Sequence, residues 1–155
     1  MRLYVIRHGA AEPSSPSGDF GRKLSEEGRR ILLSTAFGLA RMGVRFDHIL
    51  HSPLVRASET ADLMGDLSRT TPAVEQGLAQ PPDEALLAEI RRLDGDVAVV
   101  GHLPWVAEMV VWLTTGSASA ADGIRFSPGT VAALDGEPVP GGMCLAGLWQ
   151  PGDFT

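Results

Sequence analysis

The sequence is poor in cysteine, in lysine and in long apolar runs. Its lone Cys144 excludes a disulfide framework and a cysteine-based metal cluster. No apolar run approaches the roughly 20 residues that a membrane-spanning helix needs, so we expect no membrane association. The start, MRLYVIRHG, lacks the order of basic, apolar and small residues that marks a signal peptide. A chain of 155 residues with this composition predicts one soluble, cytoplasmic domain over residues 1–155.

Positive charge is also scarce. Thirteen Lys and Arg residues stand against 19 Asp and Glu residues, which gives a net charge of −6. This balance argues against nucleic acid or an anionic membrane as a partner, because both attract a net basic surface. Lys23 is the single lysine, so any site for an anion is expected to use arginine forks.

Apolar runs alternate with amphipathic helical segments over the first two-thirds of the chain. The runs predict strands at Leu3–Arg7, Phe46–His51, Ala73–Glu75 and Asp96–Val100. The helical patterns predict a helix over Ser25–Met42 capped by Ser25 and a helix that opens with Ser52 as cap and Pro53 at the first helical position. They also predict a helix over Asp83–Leu93 and a helix from about Pro104 to Leu113.

The last third of the chain has a different pattern. Two extended runs, Gly129–Leu134 and Met143–Gln150, are separated by a turn-rich stretch and predict an antiparallel pair at one edge of the sheet. Cys144 lies in the second run and is predicted to be a small core residue. The fold class is therefore expected to be α/β, a three-layer α/β/α sandwich with a mostly parallel central sheet, an antiparallel edge strand and no lid.

Three segments with chemically useful side chains follow predicted strands. They are Arg7-His8-Gly9, Ser52–Arg56 and Gly101-His102. Because the carboxyl ends of parallel strands meet at one edge, two histidines and two arginines could form a phosphate pocket there. Each residue also has a simpler interpretation, as a turn residue or as a solvated side chain. The four histidines are a poor metal set, since His48 and His51 lie three apart in a strand and would flank opposite faces.

The same segments resemble the motifs of a known family. Leu3–Gly9 (LYVIRHG) is similar to the strand and RHG signature of the histidine phosphatase superfamily, Ser52–Ala61 (SPLVRASETA) resembles its second block, and Val99–His102 (VVGH) resembles its second-histidine block. The three blocks occur in the family's order. Glu12, the run from Asp19 to Gly28 and the Gly101–Pro104 segment are most similar to the SixA-type phosphohistidine phosphatases.

The resemblance implies roles for these residues. His8 would be the nucleophile and would form a phosphohistidine intermediate, with its other ring nitrogen donating to a backbone carbonyl. Arg7, Arg56 and His102 would bind the phosphoryl oxygens, with help from Arg22, and neither a metal nor a cofactor would be required.

The general acid stays open at this point. Where larger relatives carry a glutamate, this chain has Gln80 and no carboxylate before Asp83. Glu12 and Asp19 are the remaining candidates for the acid, and either of them could instead orient an arginine or face solvent. A weak acid would favour N–P over O–P substrates, because an imidazole that already carries a second proton leaves without further protonation.

Three functions are compatible with these residues. The resemblance favours a phosphatase that acts on phosphohistidine in a signalling phosphotransfer protein. The alternatives are a phosphatase of small phosphorylated metabolites and a non-catalytic phosphate-binding module. A mutase is disfavoured, because it needs a closed pocket that protects its intermediate from water.

Overall fold

A computed structural model describes residues 1–154 of the chain. These residues form a six-stranded mixed sheet with four α-helices. The strands are β1 (Arg2–Arg7), β2 (His48–His51), β3 (Ala73–Val74), β4 (Val97–Gly101), β5 (Val131–Gly136) and β6 (Met143–Trp149). The helices are α1 (Glu26–Arg41), α2 (Val55–Leu63), α3 (Glu84–Arg91) and α4 (Trp105–Thr115). The predicted α/β class is confirmed.

The order of strands across the sheet is β3-β2-β4-β1-β5-β6. The first four of these strands are parallel, whereas β5 pairs antiparallel with both β1 and β6. The last two strands form the expected antiparallel pair at one edge of the sheet. In this pair β5 runs opposite to β1, and β6 is the outermost strand. The parallel register sets Arg7 beside Gly101 and His51 beside Val100, so the ends of β1, β4 and β2 line up at one edge.

Helices cover both faces of the sheet, and β1 shows how the sequence achieves this. Leu3 and Val5 pack with the residues of α3 and α4, while Tyr4 and Ile6 pack with those of α1 and α2. Successive side chains of a strand point to opposite faces, so a strand buried on both sides reads as a continuous apolar run. This packing is the predicted three-layer arrangement.

The starts of the first two helices differ in how they are capped. Ser25 caps α1 as predicted, because its side chain accepts a hydrogen bond from the Gly28 N–H at 3.0 Å. The prediction that Ser52 caps the next helix is wrong: α2 begins at Val55, and Leu54 occupies the cap position without a side-chain hydrogen bond. Ser52 still belongs to the end of β2, where its N–H donates to the Val100 carbonyl at 3.0 Å.

Two predicted strands begin later than the apolar pattern suggested. β2 starts at His48, because Phe46 forms only an isolated bridge with Ser68. β5 starts at Val131, because Gly129 has a φ of +89° and its N–H donates to the carbonyls that end β1. A left-handed backbone cannot continue a strand and favours glycine.

The prediction that Cys144 lies in the core is also wrong, since its side chain is exposed. It lies on β6, the outermost strand of the sheet, where most side chains are exposed. Within residues 1–154, no helix is long and apolar enough to cross a membrane.

Candidate active site

The ends of β1 and β4 and the first turn of α2 bring four basic side chains together. We call Arg7, His8, Arg56 and His102 the site floor. His8 and Arg56 are each 8% exposed and His102 is 5% exposed. The rings of the two histidines lie 5.1 Å apart between centroids. Holding two guanidinium groups close together and partly out of water is costly without an anion, so this cluster is suited to bind an anion.

His8 is held as a neutral ring with a defined tautomer. Its Nδ1–H donates to the Gly9 carbonyl at 2.7 Å, which is the hydrogen bond expected from the sequence. The Nε–H of Arg56 donates to His8 Nε2 at 3.4 Å, so Nε2 presents a lone pair. Burial is the main cause that lowers the pKa of His8 to about 3, and the nearby cationic side chains lower it further. His8 therefore has the protonation state of a nucleophile at neutral pH.

The two arginines are fixed by main-chain carbonyls. One terminal nitrogen of Arg7 donates to the Phe126 carbonyl at 2.7 Å, while its buried Nε has no partner among residues 1–154. Arg56 donates to the Asp19 carbonyl at 2.9 Å and to the Asp19 carboxylate at 3.3 Å. Burial and the charge of Arg56 lower the pKa of Arg7. Donors that are oriented in advance suit the binding of phosphoryl oxygens.

His102 is held at one nitrogen only. The hydroxyl of Ser52 lies 2.6 Å from His102 Nε2, and the buried Nδ1 has no partner within the described part of the chain. Burial and then the charge of Arg56 lower the pKa of His102 to about 4. Trp105 lies edge-on to this ring at 6.3 Å between centroids and thus lines the site, whereas Trp112 packs against the core.

The segment between β1 and α1, residues 8–25, contains the other candidates, and we call it the first loop. Arg22 donates to the Asp19 carboxylate at 2.9 Å and to the Glu12 carbonyl at 2.7 Å. The hydrogen bond from Arg22 is the main cause that lowers the pKa of Asp19, and the charge of Arg56 is the second. Glu12 is exposed, and it is its main chain that Arg22 contacts. This geometry makes Asp19 a link between two arginines and Arg22 a brace of the loop.

Two carboxylates in the stretch between α2 and α3 bind nearby backbone N–H groups, and the first is Glu75, which accepts from the Gly77 N–H at 2.7 Å. Asp83 caps α3 by accepting from the Leu86 N–H at 2.9 Å, and Gln80 is exposed. Over residues 1–154 no group of three or more His, Cys, Asp or Glu residues is placed to hold a metal ion. The Nδ1–H of His51 donates to the Ser52 carbonyl at 2.8 Å, so this histidine fixes the end of β2.

Two further residues support the site, and position along the chain did not reveal their roles. Thr60 accepts a hydrogen bond from the Gly9 N–H at 3.0 Å and donates to the Arg56 carbonyl at 2.7 Å, which ties the first loop to α2. Gly9 is closely packed, because a Cβ there would lie 2.5 Å from Leu32 Cδ1 and the Leu32 side chain would have to move. Thr60 belongs to the SPLVRASETA block, as does Ser52, and membership of this block was the only sequence signal for either residue.

Comparison with known proteins gives consistent matches. The model of the histidine phosphatase superfamily (branch 1) matches residues 3–80, which include His8 and Arg56. The chain is 30% identical over 126 residues to the phosphohistidine phosphatase SixA of Escherichia coli, a match that covers 75% of this chain and 76% of that protein.

Solved structures share the fold. The protein histidine phosphatase SixA complexed with tungstate has a TM-score of 0.84 at 24% identity, with 97% of both chains covered. A mycobacterial glucosyl-3-phosphoglycerate phosphatase, solved with VO3, has a TM-score of 0.74 at 19% identity, with 96% of this chain and 98% of that chain covered. At these identities the likeness concerns the fold alone.

Proposed function

Because the chain belongs to the histidine phosphatase superfamily, we propose that it is a metal-independent phosphatase that hydrolyses phosphohistidine on a signalling phosphotransfer protein. One observation carries this proposal: His8 presents an unprotonated Nε2 beside the buried guanidinium group of Arg56 and next to His102. A nucleophile and an anion-binding floor in one place suit phosphoryl transfer more than simple phosphate binding.

The proposed reaction has two displacements. In the first, the lone pair of His8 Nε2 forms a bond to phosphorus while the N–P bond of the substrate breaks and its imidazole leaves. In the second, water attacks the phosphorylated His8, the new N–P bond breaks and inorganic phosphate leaves. Arg7 and Arg56 supply the positive charge that stabilises the phosphoryl oxygens in both transition states, so no metal step is needed.

The first loop favours an N–P substrate over an O–P substrate. Asp19 is paired with Arg22 and Arg56, and its lowered pKa keeps it ionised at neutral pH, where it has no proton to give. An alkoxide leaving group needs a proton in the transition state, whereas the imidazole of a phosphohistidine whose other ring nitrogen carries a proton leaves as the neutral ring. We therefore assign Asp19 to the orientation of Arg56.

The rim of the site suits a partner that is itself a protein. Phe20 follows Asp19 directly and is 55% exposed, and Leu103 follows His102 directly and is 45% exposed. Both apolar side chains thus stand one residue from groups that contact or form the site floor. Exposed apolar residues beside a polar site are typical of contact surfaces. In this proposal residues 1–155 form one catalytic domain without a lid.

A phosphatase of small phosphorylated metabolites is the second candidate. A groove of about 470 Å³ runs along the first loop and is lined by Glu12, Pro16 and Lys23 among others. Arg22 donates to the main chain of Glu12 in this groove and also pairs with Asp19, the partner of Arg56. The groove is large enough for a sugar-sized substituent, since small-molecule pockets begin near roughly 300 Å³.

Trapping the intermediate and comparing substrates tests the proposal. The enzyme is mixed rapidly with a ³²P-labelled phosphohistidine protein, quenched in alkali, and analysed for label on His8. The steady-state kcat/KM is then measured for that protein, for an aryl phosphate and for a sugar phosphate. His8→Ala is compared with His48→Ala, which removes a histidine outside the site floor.

We expect alkali-stable, acid-labile label on His8, loss of turnover in His8→Ala alone, and the highest kcat/KM for the phosphohistidine protein. Full activity in His8→Ala would refute the mechanism. Equal or faster hydrolysis of the sugar phosphate would favour the metabolite phosphatase. Phosphate binding without turnover by the unmodified protein would leave only a binding module.

A further inference from the structure

Ser52 has the environment of a positioning residue and not of a helix cap. It is fully buried at the end of β2, and its hydroxyl oxygen lies 2.6 Å from His102 Nε2. The same oxygen accepts a hydrogen bond from the Leu54 N–H at 3.2 Å. Its main chain is fixed as well, because its N–H donates to the Val100 carbonyl and its carbonyl accepts from His51 Nδ1–H. The hydroxyl is therefore held in place from both sides.

The hydrogen bonds of this hydroxyl define the direction of its contact with His102. A serine hydroxyl has one hydrogen to donate and two lone pairs to accept with. The Leu54 N–H is a donor, so it occupies one lone pair. The remaining contact of Ser52 Oγ within the described residues is His102 Nε2. If Nε2 were the donor, the hydroxyl hydrogen would be buried without an acceptor, which is unfavourable.

We propose that Ser52 donates its hydroxyl hydrogen to His102 Nε2 and thereby fixes His102 as the neutral tautomer with its proton on Nδ1. That Nδ1 is buried and has no partner in the described part of the chain, as is the case for Arg7 Nε. Two buried donors without protein partners in one cluster suit an acceptor-rich ligand such as a phosphoryl group. This inference rests on the proposed function, in which His102 binds phosphoryl oxygens.

The tautomer matters because His102 is not expected to be protonated. Burial and the cationic side chains of Arg56 and Arg7 lower its pKa, and the Asp19 carboxylate opposes them only in part. A neutral imidazole has one N–H, so it donates to a ligand only if the hydrogen is on the nitrogen that faces the ligand.

The two histidines of the site floor then have opposite functions, and a different partner fixes the tautomer of each ring. Gly9 accepts from His8 Nδ1–H and leaves Nε2 of that ring as an acceptor and nucleophile. Ser52 donates to His102 Nε2 and leaves Nδ1 of that ring as a donor. The rings are 5.1 Å apart, so one backbone carbonyl and one hydroxyl create an adjacent nucleophile and hydrogen-bond donor without any net charge on either histidine.

Nuclear magnetic resonance of the imidazole nitrogens tests the tautomer directly. The protein contains four histidines, so long-range ¹H–¹⁵N spectra of ¹⁵N-histidine-labelled protein in phosphate-free buffer at pH 7 can be assigned with His102→Gln. We expect His102 to carry its proton on Nδ1. A proton on Nε2 would overturn the proposal, and this result does not depend on whether the protein is a phosphatase.

Kinetics of Ser52 variants test the consequence. We expect Ser52→Ala to move His102 toward the Nε2–H tautomer and to lower kcat roughly 10- to 100-fold, since one transition-state donor is misdirected. Ser52→Thr keeps a hydroxyl and is expected to recover the tautomer and most of the lost rate. Thr35→Val removes another fully buried hydroxyl, on α1, and is expected to leave both readouts unchanged.

An unchanged tautomer and kcat in Ser52→Ala would overturn the proposal. If Ser52→Ala does not fold, the spectrum of the unmodified protein still decides the question. If His8→Ala keeps full activity while His102 carries its proton on Nδ1, the proposed function fails and the tautomer assignment stands. Addition of inorganic phosphate is expected to shift the His102 Nδ1 resonance more than those of His48 and His51.

Discussion

The site floor and the first loop hold their charged groups in different ways. Each floor residue is anchored to a backbone carbonyl or a buried hydroxyl: Arg7 to Phe126, His8 to Gly9, Arg56 to Asp19, and His102 to Ser52. The Asp19 side chain in the loop is instead 66% exposed and is held by ion pairs. Exposed ion pairs contribute little energy, whereas buried donors are fixed in direction. The side chains of the site floor are therefore held in fixed directions, whereas the Asp19 side chain of the first loop is held more weakly.

Replacing an arginine in each region should give the largest contrast. Arg56→Lys removes the planar fork that contacts His8 Nε2 and Asp19, so we expect kcat/KM to fall about 10²- to 10³-fold. Arg22→Lys alters only the brace of the loop, and we expect a loss of about threefold or less. Steady-state kinetics on folded variants measures both, and equal losses would contradict the distinction between floor and loop.

The pH dependence of stability should report the buried histidines of the floor. Unfolded histidine binds a proton near pH 6.5, whereas native His8 and His102 stay neutral down to about pH 3 and 4. Between these values the unfolded state binds more protons, so the free energy of unfolding must fall as the pH falls. Each histidine contributes at most about 1.4 kcal/mol per pH unit to the slope of the free energy of unfolding between roughly pH 6 and 4.5.

Urea denaturation at pH 7, 6, 5 and 4.5 in phosphate-free buffer measures this slope. His8→Gln and His102→Gln should each flatten it, because each removes one group that binds a proton only on unfolding. A slope unchanged in both variants would show that the floor histidines do not titrate far below pH 6.5 in the native protein.

Neutralising the loop carboxylate should have a moderate effect that does not vary with pH. Asp19→Asn keeps the carbonyl that contacts Arg56 but removes the charged partner, so we expect kcat/KM to fall roughly three- to tenfold. If Asp19 orients Arg56, the loss is the same at pH 6 and pH 8. A loss that grows toward acidic pH, where a carboxylic acid would carry its proton, and that is larger for an alkyl phosphate would instead identify Asp19 as the general acid. Glu12→Gln is the matched control.

Removing an apolar side chain from the rim should have the smallest effect. Phe20→Ala is expected to raise KM for a phosphohistidine protein about two- to fivefold, which corresponds to up to about 1 kcal/mol of binding energy, and to affect an aryl phosphate less. Phe37 is 68% exposed on α1, so Phe37→Ala is the control and should change neither substrate. Equal effects of Phe20→Ala on both substrates would argue against a protein contact at this rim.

Much of the fold could be read from local patterns. The apolar run in β1 predicted a strand buried on both faces, and the alternation of runs with amphipathic segments predicted the parallel part of the sheet. Ser25 was recognised as a cap because a serine before two glutamates and an apolar stripe has one simple explanation. Ser52 also stands just before a helical pattern, with Pro53 after it, yet its hydroxyl bonds to His102, which is 50 residues away in sequence.

Exposure of Cys144 was missed for a related reason. The sequence predicted an antiparallel strand pair at one edge of the sheet but did not reveal which of the two strands is the outermost. β6 is the outermost strand, so most of its side chains are exposed despite their apolar character. Edge position depends on strand order, which pairing between distant segments decides.

The sequence by itself determined the α/β class, the three strand ends that carry the site and the residues of the site floor, because each depends on local periodicity or on a short motif. Only the tertiary structure decided that Asp19 pairs with Arg56 and that Ser52 contacts His102. These contacts join residues that lie 37 to 50 positions apart. The physical reason is that the direction of a hydrogen bond depends on which partners packing brings within about 3 Å, and no local pattern contains that information.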